Sequence, residues 1–349
     1  MTAHDARFSA AGAPLTGAVD MTHGSGGRAT AELVRSLFLK HFDNPLLRAG
    51  NDGACFQPPA GRLVMSTDAH VVSPLFFPGG DIGALAVHGT INDIAMAGAR
   101  PLYLSAAFIL EQGFPLAELE RVVVSMAAAA SAAGVPIVTG DTKVVERGKG
   151  DGVFITTTGI GVVPDGVEVS GDRARPGDVI LVSGPIGDHG VAILSKRENL
   201  AFEVEICSDS AALHRLVASM VEAVPEIRVL RDPTRGGLAT TLNEIAQQSR
   251  VGMRLEEAAI PVNEGVRAAC ELLGLDPLYI ANEGKLIAIC PPDVAARLLA
   301  VMRAHPLGLG SAVIGEVVGD PNAFVQMRTV FGGSRIVDWL NGEQLPRIC

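Results

Sequence analysis

A chain of 349 residues is longer than one ordinary hydrophobic core supports, so we expect two domains. Apolar residues make up 48% of the chain and charged residues 19%, which excludes an intrinsically disordered protein. The net charge of −10 excludes a general nucleic-acid-binding surface, because such a surface must be basic. A local phosphate site is still compatible with it, since helix N-termini and metal ions also bind phosphate.

The sequence predicts neither a secretory signal nor a membrane span. The first twenty residues, MTAHDARFSAAGAPLTGAVD, contain no apolar signal core. The most apolar run, VVVSMAAAASAAGVPIV, is interrupted by Gly134 and Pro136 and is short for a membrane span. We interpret it as a buried helix that leads into a strand, and we expect a cytoplasmic protein.

The first half of the chain alternates between strand-like and helix-like segments. Residues 1–47 form an N-terminal arm with a Gly-rich loop, HGSGGRAT, followed by a helix. In a first domain, 48–165, RLVMST predicts a strand, and DIGALAVHGTINDIAMAGA predicts a helix with Asp81 as its N-cap. The strand LYLSAAFIL, the helix LAELERVVVSMAAAASAA and the strands VPIVTG and VFITTTGIGVV follow.

A polar segment rich in Gly and Pro, residues 164–178, predicts the domain boundary. The second domain, 175–328, has the same character, with strands VILVS, GKLIAIC and SAVIGEVV. Its predicted helices are AALHRLVASMVEAV, GGLATTLNEIAQQS and PDVAARLLAVMRAH. The fold class is therefore α+β, with helices covering one face of each sheet. Residues 329–349 are Gly-rich and predict a mobile tail that ends in Cys349.

The five cysteines are widely spaced and include no CxxC pair, so the sequence favours neither a disulfide framework nor a zinc site. Cys207, Cys270 and Cys290 are expected to be small core residues. Cys349 differs, because it lies in the predicted mobile tail.

Acidic residues lie on loops and strand ends between predicted apolar elements, and one of them, Asp93, lies inside a predicted apolar helix. A single aspartate of this kind usually caps a turn. Several of them together favour a site for Mg²⁺ and a nucleotide, because Mg²⁺ prefers oxygen ligands and bridges carboxylates to phosphates. The residues are Asp52, Asp68, Asp93, Asp141 and Asp232.

Three further features leave alternatives open. HGSGG is either a phosphate-binding loop or a flexible surface loop, and it is not a Walker A motif. Lys143 in TGDTKVV is either exposed or in contact with a phosphoryl group. Glu283 in ANEGKL is either a general base or a solvated carboxylate.

These stretches together resemble the HypE family of hydrogenase maturation factors. The likeness covers nearly the whole chain from about residue 20 and is carried most specifically by SPLFFPGGDIG, HGTINDIAMAGA and the final PRIC. The resemblance implies two α/β domains of the aminoimidazole ribonucleotide synthetase-like fold, as in selenophosphate synthetase and thiamine monophosphate kinase. It also implies a homodimer in which the N-terminal domains share a β-barrel.

The resemblance implies a reaction as well. A carbamoyltransferase, HypF, would place a carbamoyl group on Cys349, and ATP with Mg²⁺ would drive its dehydration to a thiocyanate. The cyano group would pass to iron on the HypC–HypD scaffold and then to a [NiFe]-hydrogenase. Neither nucleic acid nor a membrane takes part.

The site residues implied by the resemblance fall into three groups. The catalytic residues would be Cys349, Lys143 and Glu283, with Glu283 favoured as the base. The metal ligands would be Asp52, Asp68, Asp93, Asp141 and Asp232. The ATP-binding residues would be Gly24, Gly26, Gly27, Asp68, Asn92, Gly140 and Thr142.

Two alternatives differ in what they require of Cys349. Another synthetase or kinase of the superfamily would have no use for a terminal cysteine, and HGSGG lacks the cysteine of selenophosphate synthetases. A non-catalytic scaffold that docks partners through its thiol would have no reason to carry the aspartates. Prenylation is disfavoured, because its motif needs three residues after the cysteine.

Overall fold

The structure is a computed structural model and describes residues 15–200, 205–340, 342 and 347–349. The first fourteen residues of the predicted arm and Pro346 of the PRIC motif lie outside the described residues. Within those ranges, no helix has the length and apolar character needed to cross a membrane.

The first half of the chain builds a four-stranded sheet covered on one face by helices. Its strands lie in the order β1 (Arg62–His70), β6 (Val153–Val163), β4 (Arg100–Glu111) and β5 (Ile137–Val145). A small hairpin, β2 (Phe76–Phe77) and β3 (Gly80–Asp81), leads into α3 (Ile82–Met96). The helices α1 (Arg28–Leu33) and α2 (Pro45–Arg48) precede β1, and α4 (Leu116–Ala133) packs on α3.

Helix α3 is the central helix of this half. Asp81 is its N-cap, as predicted, and accepts hydrogen bonds from the backbone N–H groups of Gly83 and Ala84 at 2.8 and 3.1 Å. Its apolar residues are buried all round, because α3 contacts β1 and β6 on one side and α4 on another. Asp93 therefore lies on a helix whose residues have little contact with solvent.

The second half builds a mixed seven-stranded sheet. Its strands lie in the order β13 (Ser334–Ile336), β12 (Val325–Arg328), β9 (Gly252–Glu256), β11 (Ala312–Val318), β7 (Val179–Val182), β10 (Ile287–Cys290) and β8 (Val229–Arg231). Its helices are α5 (Asp188–Arg197), α6 (His214–Ala223), α7 (Gly237–Ser249), α8 (Glu264–Leu273) and α9 (Pro292–Ala304). Helix α6 also packs against α3, which joins the two halves.

Two strands are longer than the sequence predicted. Strand β1 pairs with β6 as far as His70, and β5 pairs with β4 as far as Val145. Asp68, Asp141 and Lys143 therefore lie inside strands and not on loops after them. One face of this sheet is open, so polar side chains can continue a strand where the apolar pattern stops.

The predicted tail begins later than residue 329. Strand β13 pairs with β12, and Val337 is fully buried in the core of the second sheet. One predicted core cysteine also differs, since Cys207 is exposed whereas Cys270 and Cys290 are buried as expected.

Candidate active site

Asp68 and Asp93 meet where β1 packs on α3. Alternate residues of β1 face α3, which brings Ser66 Oγ to 2.7 Å from Asp93 Oδ2. On the same face, His70 Nε2 lies 3.2 Å from Asp68 Oδ2. Gly89 of α3 makes room for this pair, because a Cβ there would lie 2.9 Å from His70 Nε2.

The pKa values of Asp68 and Asp93 are shifted in opposite directions. Burial raises the pKa of Asp93, the Asp68 charge adds to the rise, and the Ser66 hydrogen bond opposes it. Burial also acts to raise the pKa of Asp68, but His70 and then Arg235 outweigh it and lower the pKa. Asp68 is thus the carboxylate that keeps its charge most readily.

The second domain contributes Asp232, just after β8, and Glu283, shortly before β10. Burial, and then the neighbouring Asp93 charge, raises the pKa of Asp232 to about 7. Glu283 is only 4% exposed, and burial followed by repulsion from Asp232 raises its pKa well above the usual range. The site therefore concentrates more negative charge than its own residues neutralise.

Asn92, which was predicted to bind ATP, makes hydrogen bonds between the two domains. It is buried, and its Nδ2 donates to the carbonyl oxygens of Ala211 at 3.0 Å and Glu283 at 3.3 Å. Its Oδ1 accepts from the N–H of Leu213 at 2.8 Å. Since all of these partners belong to the second domain, Asn92 fixes the Glu283 segment on α3.

Residues 347–349 enter this site and form an isolated β-bridge with the segment after β1. The N–H groups of Val71 and Ser73 donate to the carbonyl oxygens of Cys349 and Arg347, both at 3.1 Å, and Val72 forms an antiparallel bridge with Ile348. Ile348 is 6% exposed and packs in the first domain's core. The end of the described chain is therefore docked.

Two side chains from α5 add to this docking. His189 Nε2 donates to the Ile348 carbonyl oxygen at 2.8 Å, while its Nδ1 pairs with Ser208 Oγ at 2.7 Å. Arg197 donates to the carbonyl oxygens of Ser73 at 2.9 Å and Arg347 at 2.8 Å. We name Val71, Ser73, His189 and Arg197 the tail clamp. All of its hydrogen bonds with residues 347–349 are to main-chain atoms, so none of them uses the Cys349 side chain.

The Cys349 thiol lies between acidic groups and one arginine. Arg235 Nη1 is 3.2 Å from Cys349 Sγ and its Nη2 is 4.0 Å from Asp68 Oδ1. Burial, and then the Glu283 charge, raises the thiol pKa to about 12, although Arg235 opposes the rise. The Arg347 guanidinium pairs with Asp151, so Arg235 is the arginine at the thiol.

The remaining predicted residues lie at the other edge of the first sheet. Asp141 is aligned across the strands with Ala107, Thr156 and Ala69 in turn. Three strand spacings amount to ~14 Å, and residues aligned in this way share a face. Since Ala69 and Asp68 are adjacent and point to opposite faces, Asp141 and Lys143 do not join the Asp68 carboxylate within one protomer.

The Gly-rich loop lies at this edge too. A Cβ on Gly24 would come within 2.8 Å of the backbone N of Val144, so the loop packs directly on β5. Gly140 and Thr142 belong to the helix-covered face of β5 and line a cavity with Phe38 and Phe42 of the arm. Gly26 and Gly27 are exposed in the same loop.

The five predicted metal ligands therefore do not all lie together. Asp52 is exposed on the loop before β1 and Asp141 lies at the far edge, so neither supports Asp68. Among the described residues, no three His, Cys, Asp or Glu side chains converge closely enough to hold a cation as they stand. The Asp68 charge nevertheless raises the proton affinity of Asp93, and the charges of Asp93 and Asp68 raise that of Asp232, which fits oxygen donors that lack a balancing cation.

Comparison with known proteins identifies the family. The AIR synthase related protein family matches with its N-terminal domain at residues 50–163 and with its C-terminal domain at 175–328. A carbamoyl dehydratase HypE from Azotobacter vinelandii is 71% identical over 333 residues, which cover 95% of this chain and 98% of the relative. The chain belongs to the HypE family.

Solved HypE structures share its fold. A hydrogenase maturation protein HypE in complex with ATP is 57% identical, with a TM-score of 0.91 over 94% of this chain and 99% of its own. A chain from a HypE–HypF complex is 48% identical, with a TM-score of 0.78 over 90% of this chain and 100% of its own. The predicted membership of the HypE family is thus confirmed.

The sequence reasoning missed three residues of this site: Arg235, His189 and Arg197. Arg235 lies three residues after the predicted ligand Asp232, in DPTRGG, and His189 lies in the Gly-rich turn GPIGDHG. Nothing local to Arg197 distinguishes it from an ordinary basic residue at a helix C-terminus.

Proposed function

We propose that this protein is an ATP-dependent carbamoyl dehydratase that converts an S-carbamoyl group on Cys349 to an S-cyano group. The product would supply the cyanide ligand of iron in a [NiFe]-hydrogenase. The observation that carries the proposal is the docking of the Cys349 thiol among Asp68, Glu283 and Arg235. A cysteine brought into a carboxylate cluster by its own chain is the arrangement that such a reaction needs.

Asp68, Asp93 and Asp232 are the residues of this chain that we propose to hold Mg²⁺ with ATP. When bound, Mg²⁺ would neutralise phosphate charge during transfer of the terminal phosphoryl group to the carbamoyl oxygen. Two domains supply the three carboxylates, so their spacing depends on the α3–α6 contact that joins the halves.

Glu283 is our candidate for the base that takes a proton from the carbamoyl nitrogen. Its raised pKa makes its carboxylate a stronger proton acceptor than an ordinary glutamate. Glu283 also lies close enough to the docked thiol for its charge to raise the thiol pKa. Lys143 is a weaker candidate for the base, since it lies on the opposite face of the sheet and at its far edge.

The tail must leave its clamp for the carbamoyl group to be loaded. A docked thiol with a pKa of about 12 is protonated at neutral pH, and the nucleophile in acyl transfer is the thiolate. We propose that the tail swings out to a carbamoyltransferase of the HypF type, the partner with which a HypE relative is solved. Afterwards it would deliver the cyano group to a HypC–HypD scaffold.

We also propose a homodimer that completes the nucleotide site. The face of the first sheet opposite α3 is open, and Leu63 and Met65 of β1 are exposed on it. Two such sheets can close into a barrel if the β5 edge of each copy meets the β1 edge of the other. Gly140 and Thr142 of one copy would then lie beside Asp68 of the other.

Intact-protein mass spectrometry tests the function. After incubation with a HypF-type carbamoyltransferase, its carbamoyl donor and ATP, the wild-type protein should gain one carbamoyl group and then lose one water. Cys349→Ala should gain nothing, whereas Cys207→Ala, which alters an exposed cysteine, should behave as wild type. A carbamoyl adduct on Cys349→Ala would refute the proposal.

A further inference from the structure

We propose that Arg235 is a catalytic residue of the dehydration. It binds the oxygen of the carbamoyl group on Cys349 and stabilises the phosphoryl group that this oxygen receives. The assignment rests on the proposed function and adds the cation that the carboxylate site lacks.

The geometry places the Arg235 guanidinium within reach of the carbamoyl oxygen. Its Nη1 lies 3.2 Å from Cys349 Sγ, and the carbamoyl oxygen is only two bonds from that sulfur. The other charges that act on the thiol are those of Glu283 and Asp68, which are acidic. An S-carbamoyl group therefore has one favourable orientation, with its oxygen toward Arg235 and its N–H groups toward Glu283.

The guanidinium has donors left for this task. Within the described residues it makes one hydrogen bond, to the thiol, and its side chain is 64% exposed. A guanidinium has five N–H donors in a planar fork that matches phosphate oxygens. Arg235 can therefore hold the carbamoyl oxygen and a phosphoryl oxygen together.

The loop that carries Arg235 has a constrained backbone conformation. Gly236 and Gly237 have φ of +76° and +61°, and a Cβ on Gly237 would lie 2.6 Å from the Ile280 carbonyl oxygen. On the other side, the buried Asn282 donates through Nδ2 to the Pro233 carbonyl oxygen at 2.8 Å. The loop thus presents the arginine without having to reorganise.

The reaction balances with Arg235 acting on charge alone. The carbamoyl oxygen forms a bond to the terminal phosphorus of ATP, the bond from that phosphorus to ADP breaks, and one N–H proton is lost. The C–O bond then breaks, phosphate leaves with both electrons, and loss of the second N–H proton gives the nitrile. Negative charge gathers on the transferred group in both steps, and it is this charge that Arg235 stabilises.

The test uses full-length protein that has already been carbamoylated, mixed with ATP and Mg²⁺ in single turnover. We expect Arg235→Gln to lose water on the order of 100-fold more slowly or worse, with Arg235→Lys in between. The control is Arg254→Gln, which removes an exposed arginine paired with Glu316 and should stay within about twofold of wild type. Guanidinium added to Arg235→Ala should restore part of the rate.

A second readout separates catalysis from docking. If Arg235 only seated the tail, Arg235→Gln would expose Cys349, and the uncarbamoylated thiol would be alkylated faster. We expect alkylation and carbamoyl loading close to wild type, with only water loss impaired. Water loss at the wild-type rate in Arg235→Gln, or a slower rate matched by faster alkylation, would overturn the assignment. Wild-type protein that lost no water would instead refute the proposed function, and this assignment with it.

Discussion

His189 of α5 donates from Nε2 to the carbonyl oxygen of Ile348 across 2.8 Å. A carbonyl oxygen can only accept, so the ring must carry its proton on Nε2, and in the neutral ring Nδ1 accepts from Ser208 Oγ. Burial lowers the pKa of His189, which favours that neutral ring. The second domain thus holds the backbone of the tail beside the main-chain contacts that the first domain makes with it, and neither set of contacts uses the Cys349 sulfur.

Releasing the tail should expose the thiol. Arg197→Met removes the donor to the Arg347 carbonyl oxygen, so we expect Cys349 to react several-fold faster with a maleimide or iodoacetamide. The measurement is the alkylation rate by intact mass at pH 8, with Cys207→Ala as background so that one exposed thiol is removed.

Arg215→Met is the matched control. Arg215 also donates through Nη2 to a backbone carbonyl, that of Ala132 at 2.9 Å, but away from the tail. Equal acceleration in both variants would mean that the effect is general loosening and not release of the clamp.

Removing the Asp232 carboxylate should stabilise the nucleotide-free protein at alkaline pH. The folded pKa of about 7 lies above the usual 3.8, so the folded state binds this proton more tightly and stability falls as pH rises between those values. Asp232→Asn removes that penalty, and we expect a gain of about 1–3 kcal/mol at pH 8 that vanishes near pH 4.

Thermal unfolding without nucleotide or Mg²⁺ at pH 5 and pH 8 measures this. Asp52→Asn, which neutralises an exposed loop aspartate, should change the unfolding temperature little at either pH. A destabilised Asp232→Asn at pH 8 would show that Asp232 is stabilised by its surroundings and not strained by them.

Glu283→Gln should separate loading from dehydration. The variant keeps a side chain of the same shape but no proton acceptor, so we expect normal carbamoyl loading and water loss slower by about 100-fold or more. In wild type the rate of water loss should rise with pH, because burial raises the pKa of Glu283 well above its usual range and only its carboxylate form accepts a proton. That rise should be reduced in the variant.

Glu256→Gln, which alters a partly exposed glutamate paired with Arg328, should retain the wild-type rate. Rapid water loss by Glu283→Gln would show that another group is the base, and Asp232 would be the next residue to substitute.

Helices with caps and continuous apolar patterns could be predicted from the sequence. Helix α4 has the predicted bounds, and Asp81 caps α3 as its position before an apolar run indicated. The ends of strands were harder to predict from the sequence. The ladder between β4 and β5 continues through Asp141 and Lys143, and a single strand's polarity does not reveal what pairs with it.

The candidate site was predictable as a set of residue types but not as an arrangement. Asp68, Asp93, Asp232, Glu283 and Cys349 come from both halves and from the tail, and contacts between the halves, such as that of α3 with α6, bring them together. Whether Asp141 faces Asp68 depends on strand order and on alternation within strands, and one residue of register reverses the answer. The contacts of Asn92 with the second domain could not be predicted, because its partners, Ala211 and Leu213, are distant in sequence.

A charge on the open face of the first sheet should disrupt the proposed dimer. Met65 is 69% exposed on that face of β1, and a second sheet would bury it. Met65→Lys places a charge there, so we expect light scattering after size-exclusion chromatography to shift from dimer toward monomer. Leu272→Lys on α8 is the control, because Leu272 is 74% exposed but lies in the second domain. Water loss should fall together with dimer content, because the β5 edge of a second copy would no longer reach Asp68, while carbamoyl loading of the tail should continue. A monomeric Met65→Lys protein with full dehydration activity would show that each protomer holds a complete site.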